Sequence, residues 1–76
     1  MTLAQARKTD KVKVVGINAP TVLKKRLSSL GLSLGKEVEV LEMTLQKNTI
    51  KIAIGLSAIA LRLDEAQCIE VEVLHA

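Results

Sequence analysis

The side chains with the widest chemical repertoire in this sequence are Cys68 and His75, followed by the guanidinium groups of Arg26 and Arg62. A thiolate and an imidazole are both metal ligands, but these two lack close spacing and the chain has no other Cys or His. Transition-metal sites generally take three or four ligands. No metal site is therefore assigned; Cys68 reads as a small residue at the edge of the core and His75 as a solvated tail residue. Catalytic signatures are missing too: there is no nucleophile–base pair with a local signature, no phosphate-cradling glycine loop and no carboxylate pair set in an obvious cleft. The chain reads as a non-enzyme without a cofactor.

What remains is recognition. Lys24, Lys25 and Arg26 form the one basic cluster, which would steer the chain toward an acidic partner surface or anionic lipid headgroups. The plainer reading is a solvated helix face. Leu56 stands at a turn tip beside Ala58 and Ala60 and is flanked by Arg62, a small apolar surface that a monomer gains nothing by exposing. The competing expectation folds Leu56 inward over the end of the fold. Net charge is +3, from eleven Lys and Arg against eight Asp and Glu, and aromatic content is 0%. Proteins that grip single strands add stacking rings to a basic groove, so no nucleic-acid partner is expected.

The elements that position these residues centre on the segment from Lys24 to Gly35, where a short helix hands over to a strand. Val22, Leu23, Leu27 and Leu30 recur at three- and four-residue intervals and predict one apolar stripe on a helix starting near Pro20. Gly31 falls where the last carbonyls need a left-handed residue, and Leu32 where a Schellman ending returns it onto Leu27. Gly35 is a second turn residue.

Upstream, residues 1–10 predict a loosely held lead-in anchored by Leu3. Lys11 to Val14 alternates as a strand with Val12 and Val14 inward, and Gly16 marks a bulge or a close backbone approach. Downstream, Glu37 to Val40 alternates, then Leu41, Met43 and Leu45 carry the apolar phase on the opposite parity. A strand that changes its buried face must bend, as a strand serving two halves of a small barrel does.

Gln46 to Asn48 predict a hairpin tip, Thr49 to Ile54 a third strand, and Ser57 to Leu63 a fourth with Ala58, Ala60 and Arg62 outward. Asp64 and Gln67 fit the N-cap and reciprocal positions of one helical turn. Ile69, Val71 and Val73 form a last strand whose outward Glu70 and Glu72 are expected to face Lys11 and Lys13 across a β1–β5 pair that closes the barrel.

The whole predicts one domain, residues 1–76, mainly β: a small SH3-like barrel of about five strands, one short helix after the first strand and a helical turn before the last. An open α+β sheet covered by the helix is the alternative. The core must be aliphatic, since apolar residues make up 49% of the chain. The lone cysteine fits a reducing compartment, the N-terminus builds no secretory apolar region, and the run Ile52 to Leu61 is too short for a membrane span. A cytoplasmic protein is expected. An exposed edge strand offers a route to a homo-oligomer.

The order strand, helix, Arg26-Leu27-Ser28-Ser29-Leu30-Gly31-Leu32-Ser33-Leu34-Gly35, then Glu37 to Val40, Ile59-Ala60-Leu61-Arg62, Glu65-Ala66 and Ile69-Glu70-Val71 resembles the ferrous iron transport protein A family, FeoA. The resemblance covers almost the whole chain. It implies an SH3-like protein that works with the membrane iron transporter FeoB, which carries a GTP-binding domain, and is peripheral to the membrane through that partner. It also implies kinship with the SH3-like C-terminal domain of iron-dependent repressors, so a free-standing regulatory or nucleic-acid-associated module is the alternative function. An arginine supplied in trans can stabilise a GTPase transition state, a role open to Arg26 or Arg62 beside the plainer one of a surface ion pair. Two loops depart from the family pattern: Gln46-Lys47-Asn48-Thr49 replaces a Gly-Asp-Pro-like hairpin, and the usual glycine near Thr9-Asp10 is missing.

Overall fold

The structure, a computed structural model, describes residues 1–44 and 46–75, the side chain of His75 excepted. Chain order is a 3₁₀ turn (Leu3–Gln5), β1 (Lys11–Ile17), α1 (Thr21–Ser29), β2 (Glu37–Thr44), β3 (Thr49–Ile54), β4 (Ser57–Arg62), α2 (Leu63–Ala66) and β5 (Ile69–His75). The five strands form one antiparallel sheet in the order β4-β3-β2-β1-β5. It is curled around an aliphatic core that includes Val12, Val14, Val40, Ile50, Ile52 and Ile69.

The bend expected in β2 is present. β2 pairs β1 through Glu37, Val38 and Glu39, and β3 from Glu39 onward, with a register break between Val40 and Glu42 that leaves Leu41 unpaired. One extra residue reverses the parity, so Val38 and Val40 are buried before the bulge and Met43 packs on the core after it. The phase expected for Leu45 lies outside the described residues.

β1 and β5 are neighbours, as the alternating charges predict, but their register differs from the expected one. A break between Val14 and Gly16 places Gly16, not a lysine, opposite Glu70. A Cβ on Gly16 would stand 3.4 Å from that of Glu70, the close approach anticipated for this glycine. Lys13 does oppose Glu72, and on the other side of β1 Lys11 and Lys13 oppose Glu39 and Glu37. β5 also carries the backbone of His75, paired opposite Lys11, so that residue ends a strand and is not a free tail. The β1–β5 pair extends the ladder but does not close it; β4 and β5 remain its two ends, and α2 connects them along the chain.

α1 ends as its sequence dictates. Gly31 has φ of +95°, its N–H donates to the Ser28 carbonyl at 3.0 Å, and Leu32 N–H donates to the Leu27 carbonyl at 3.0 Å. This is the Schellman pair of bonds, with Leu27 and Leu32 both fully buried. The buried stripe is narrower than expected: Leu27 is buried and Leu23 and Leu30 are partly so, but Val22 is 82% exposed. At about 100° per residue Val22 lies on the flank of the stripe set by Leu23, Leu27 and Leu30, too far round to reach the sheet.

The lead-in is not loose. Leu3 and Ala6 belong to the core, Met1 carbonyl accepts from Val71 N–H at 2.8 Å, and Thr2 bridges to Glu70 on the outer side of β5. Asp10 turns the chain into β1, its carboxylate accepting from Arg7 N–H at 2.9 Å. Polar residues hid this anchoring because their side chains serve local turns and leave only Leu3 and Ala6 to mark the contact.

Candidate functional site

β4 is shorter than its apolar pattern implies. It stops at Arg62, and Leu63 opens α2, its N–H donating to the Asn48 carbonyl at 2.8 Å. Asp64 is therefore not the N-cap. Arg62 takes that position, and Glu65, three residues on, accepts from Arg62 N–H through Oε1 at 3.1 Å. The reciprocal half of a capping box is thus made by Glu65 and not by Gln67.

Glu65 is almost wholly buried, and its other oxygen, Oε2, accepts from Arg26 Nη1 in the last turn of α1. One carboxylate thereby joins α1 to the β4–α2 junction and draws together two of the candidate positions, the guanidinium of Arg26 and the backbone of Arg62. A carboxylate charge opposite the C-terminal turn of a helix needs a cation between them, and Arg26 supplies it while also facing the negative end of the α1 dipole. Among the described residues Arg62 has no ion-pair partner. Lys24 and Lys25 stay exposed along α1.

Leu56 points outward, which decides between the two expectations for it. Gly55, at φ of +58°, and Leu56 are the central pair of the β3–β4 turn, and the Leu56 side chain is fully exposed at 109%. Ala58, Ala60 and Arg62 follow it on the outer face of β4, all exposed. Together they make an uncharged strip ending in one guanidinium.

A second apolar feature escaped the sequence reading. Ile17, Lys24, Ser28, Leu32, Ser33 and Leu34 line an open cleft of about 280 Å³ beside α1, in which Leu34 is 66% exposed. The signal was a leucine between Ser33 and Gly35, in a turn where burial has no helical or strand period to follow.

Cys68 is partly buried, its thiol 3.7 Å from the Asp64 carbonyl. Among the described residues no three His, Cys, Asp or Glu side chains stand together as a metal-binding group. No helix among them is long and apolar enough to cross a membrane.

Residues 1–73 match the family model of the FeoA domain. The chain belongs to the FeoA family. A Campylobacter jejuni protein provisionally named Fe(2+) transport protein A is 35% identical over 74 residues, which cover 97% of this chain and all of that one. The solution structure of FeoA from Chlorobium tepidum superposes with a TM-score of 0.89 at 27% identity, over 97% of this chain and 70% of that one. A manganese-dependent transcriptional repressor in complex with manganese gives a TM-score of 0.91 at 28% identity, with 97% of this chain matched to 36% of the repressor. The fold is therefore the SH3-like barrel of FeoA proteins, and the family ties the chain to ferrous iron transport as an accessory protein. The Arg26 and Glu65 segments on which the resemblance rested contact one another directly.

Proposed function

We propose that this FeoA-family chain is a cytoplasmic accessory protein of bacterial ferrous iron uptake that acts by protein–protein contact with the GTPase-containing membrane transporter FeoB. The observation that carries the reading is Leu56, fully exposed at the tip of a tight turn and continued by Ala58, Ala60 and Arg62. A leucine in that position gains nothing in the monomer, and an aliphatic anchor beside a guanidinium is the kind of surface that a partner pocket desolvates. Lys24 and Lys25 add a basic helix face suited to steering toward acidic surface. Arg26 is engaged by Glu65, which supports a structural role for it over a catalytic one in trans.

Calorimetry with the cytoplasmic portion of FeoB from the same source, with and without a GTP analogue, tests the proposal. Saturable binding is the expected result, and dependence on nucleotide would point to regulation of the GTPase switch. Absence of binding to that portion and to the full-length transporter in membranes would discard it.

The likeness to the manganese-dependent repressor favours a second reading, a free-standing regulatory module related to repressor C-terminal domains. Tight, salt-sensitive nucleic-acid binding by the isolated chain would support that reading instead.

A further inference from the structure

The two ends of the ladder are treated differently by the chain. β5 is covered on its outer side by residues 1–2, through the Met1 carbonyl and the Thr2 bridge to Glu70. Among the described residues β4 has no such cover. Ile54 and Ser57 close a two-residue hairpin whose first central residue, Gly55, has positive φ, the placement a type II′ turn calls for. Such a closing pair exchanges both hydrogen bonds, and antiparallel alternation then gives the bonded positions to Ser57, Ile59 and Leu61. The N–H and C=O groups of Ala58, Ala60 and Arg62 therefore point away from β3. Arg62 bears this out, since its N–H is taken by Glu65. Among the described residues, no backbone bond outside the β3–β4 pair uses Ala58 or Ala60.

Natural edges are usually blunted by a charge, a proline or a bulge. From Ser57 to Leu61 the strand has none of these, and its β3 register runs without a break. We propose that two copies of this chain pair antiparallel through β4, with Ala58 of one opposite Ala60 of the other. This register is the one that satisfies the outward donors and acceptors of both alanines in both copies without asking Arg62 for the N–H it has already given to Glu65. Ile59, half-buried at the rim of the core, meets Ile59 of the second copy at the two-fold axis as a non-hydrogen-bonded pair, where side chains approach closest. Arg62 falls opposite Leu56 of the second copy, so the two guanidinium groups stay at opposite ends of the contact.

Sedimentation velocity on the full chain, from low micromolar to near-millimolar concentration, is expected to show a monomer–dimer equilibrium. Ala60→Pro removes an N–H that points to the edge and takes no bond from β3, so the dimer should vanish while circular dichroism is retained. Independently of that variant's folding, Ile59→Cys in a Cys68→Ser background should give a disulfide-linked dimer with oxidised glutathione as the electron acceptor, whereas Lys51→Cys in that background should not. A chain that stays monomeric throughout, a dimer that folded Ala60→Pro leaves intact, or failure of Ile59→Cys to cross-link would overturn the proposal.

Discussion

Arg26 in the last turn of α1 and Glu65 in the single turn of α2 form an ion pair in which the acid is buried, its side chain 10% exposed, and the base is open, at 57%. The asymmetry makes Glu65 the member whose partner matters. Removing Arg26 leaves a desolvated carboxylate with Arg62 N–H as its remaining donor, and should destabilise the fold by about 1–3 kcal/mol. Glu65→Ala removes the carboxylate but strands the Arg62 N–H and opens a cavity. Because both variants break one network, Arg26→Ala and Glu65→Ala together should cost less than the sum of the two alone, by about 0.5–3 kcal/mol in a urea-denaturation cycle. Strict additivity would mean that the pair contributes nothing to α1 docking.

Opposite substitutions at two positions of positive φ should move stability in opposite directions. Thr9 holds φ of +76°, and its N–H donates to the Val40 carbonyl at 2.8 Å. A β-branched residue there carries about 1–2 kcal/mol of left-handed cost, against roughly 0.5–1 kcal/mol of chain entropy that glycine would add to the unfolded state. Thr9→Gly is expected to raise stability by about 0.5–1 kcal/mol. Gly31→Ala should lower it by about 0.5–1 kcal/mol on the same two terms; a Cβ there would meet only Ile54 Cγ2, at 3.7 Å, so the loss is conformational and not steric. Thermal melts of both variants check the signs.

Where periodicity is long, the sequence was readable. Period-two runs in β1 to β5, the parity reversal at Leu41 and the Gly31 cap all follow from side-chain alternation or from a φ that only glycine adopts cheaply. Short elements were not. α2 has four residues, too few to show a helical period, and its N-cap lies two residues before the expected Asp64, fixed by the bond from Leu63 to Asn48 and the Glu65 reach-back to Arg62. The candidate surface was legible in composition at Leu56, Ala58 and Ala60, but its orientation was not, because a leucine in a tight turn is as easily folded over a barrel end as turned out. The Arg26–Glu65 contact joins residues 39 apart in sequence and leaves no local trace.

The lead-in should prove to be part of the folding unit. Leu3 is fully buried beside Ala6 although the segment around it is polar. Truncating a buried leucine removes its transfer energy and leaves a cavity, so Leu3→Ala should cost about 2–5 kcal/mol. That is a large share of the roughly 5–15 kcal/mol that holds a domain folded. Amide exchange at Val71, whose N–H is held by Met1, should accelerate in the same variant. Unchanged stability would return residues 1–10 to the status of an ornament.

The proposed transporter contact should separate into an anchor and a steering term. Leu56 is fully exposed and touches no core, so Leu56→Asp should change unfolding free energy by no more than about 0.5 kcal/mol. If its side chain fills a partner pocket, the same variant should weaken binding by about 2 kcal/mol or more, mainly through faster dissociation. Lys24→Glu with Lys25→Glu should act on the other arm. Both lysines are exposed on α1, and charges of that kind alter the association rate and its dependence on ionic strength more than the lifetime of the complex. Surface plasmon resonance with the FeoB cytoplasmic portion, run at low and high salt, resolves the two. An association rate that ignores both salt and the lysine reversals removes the steering role, and a folded Leu56→Asp chain with unaltered dissociation removes the anchor.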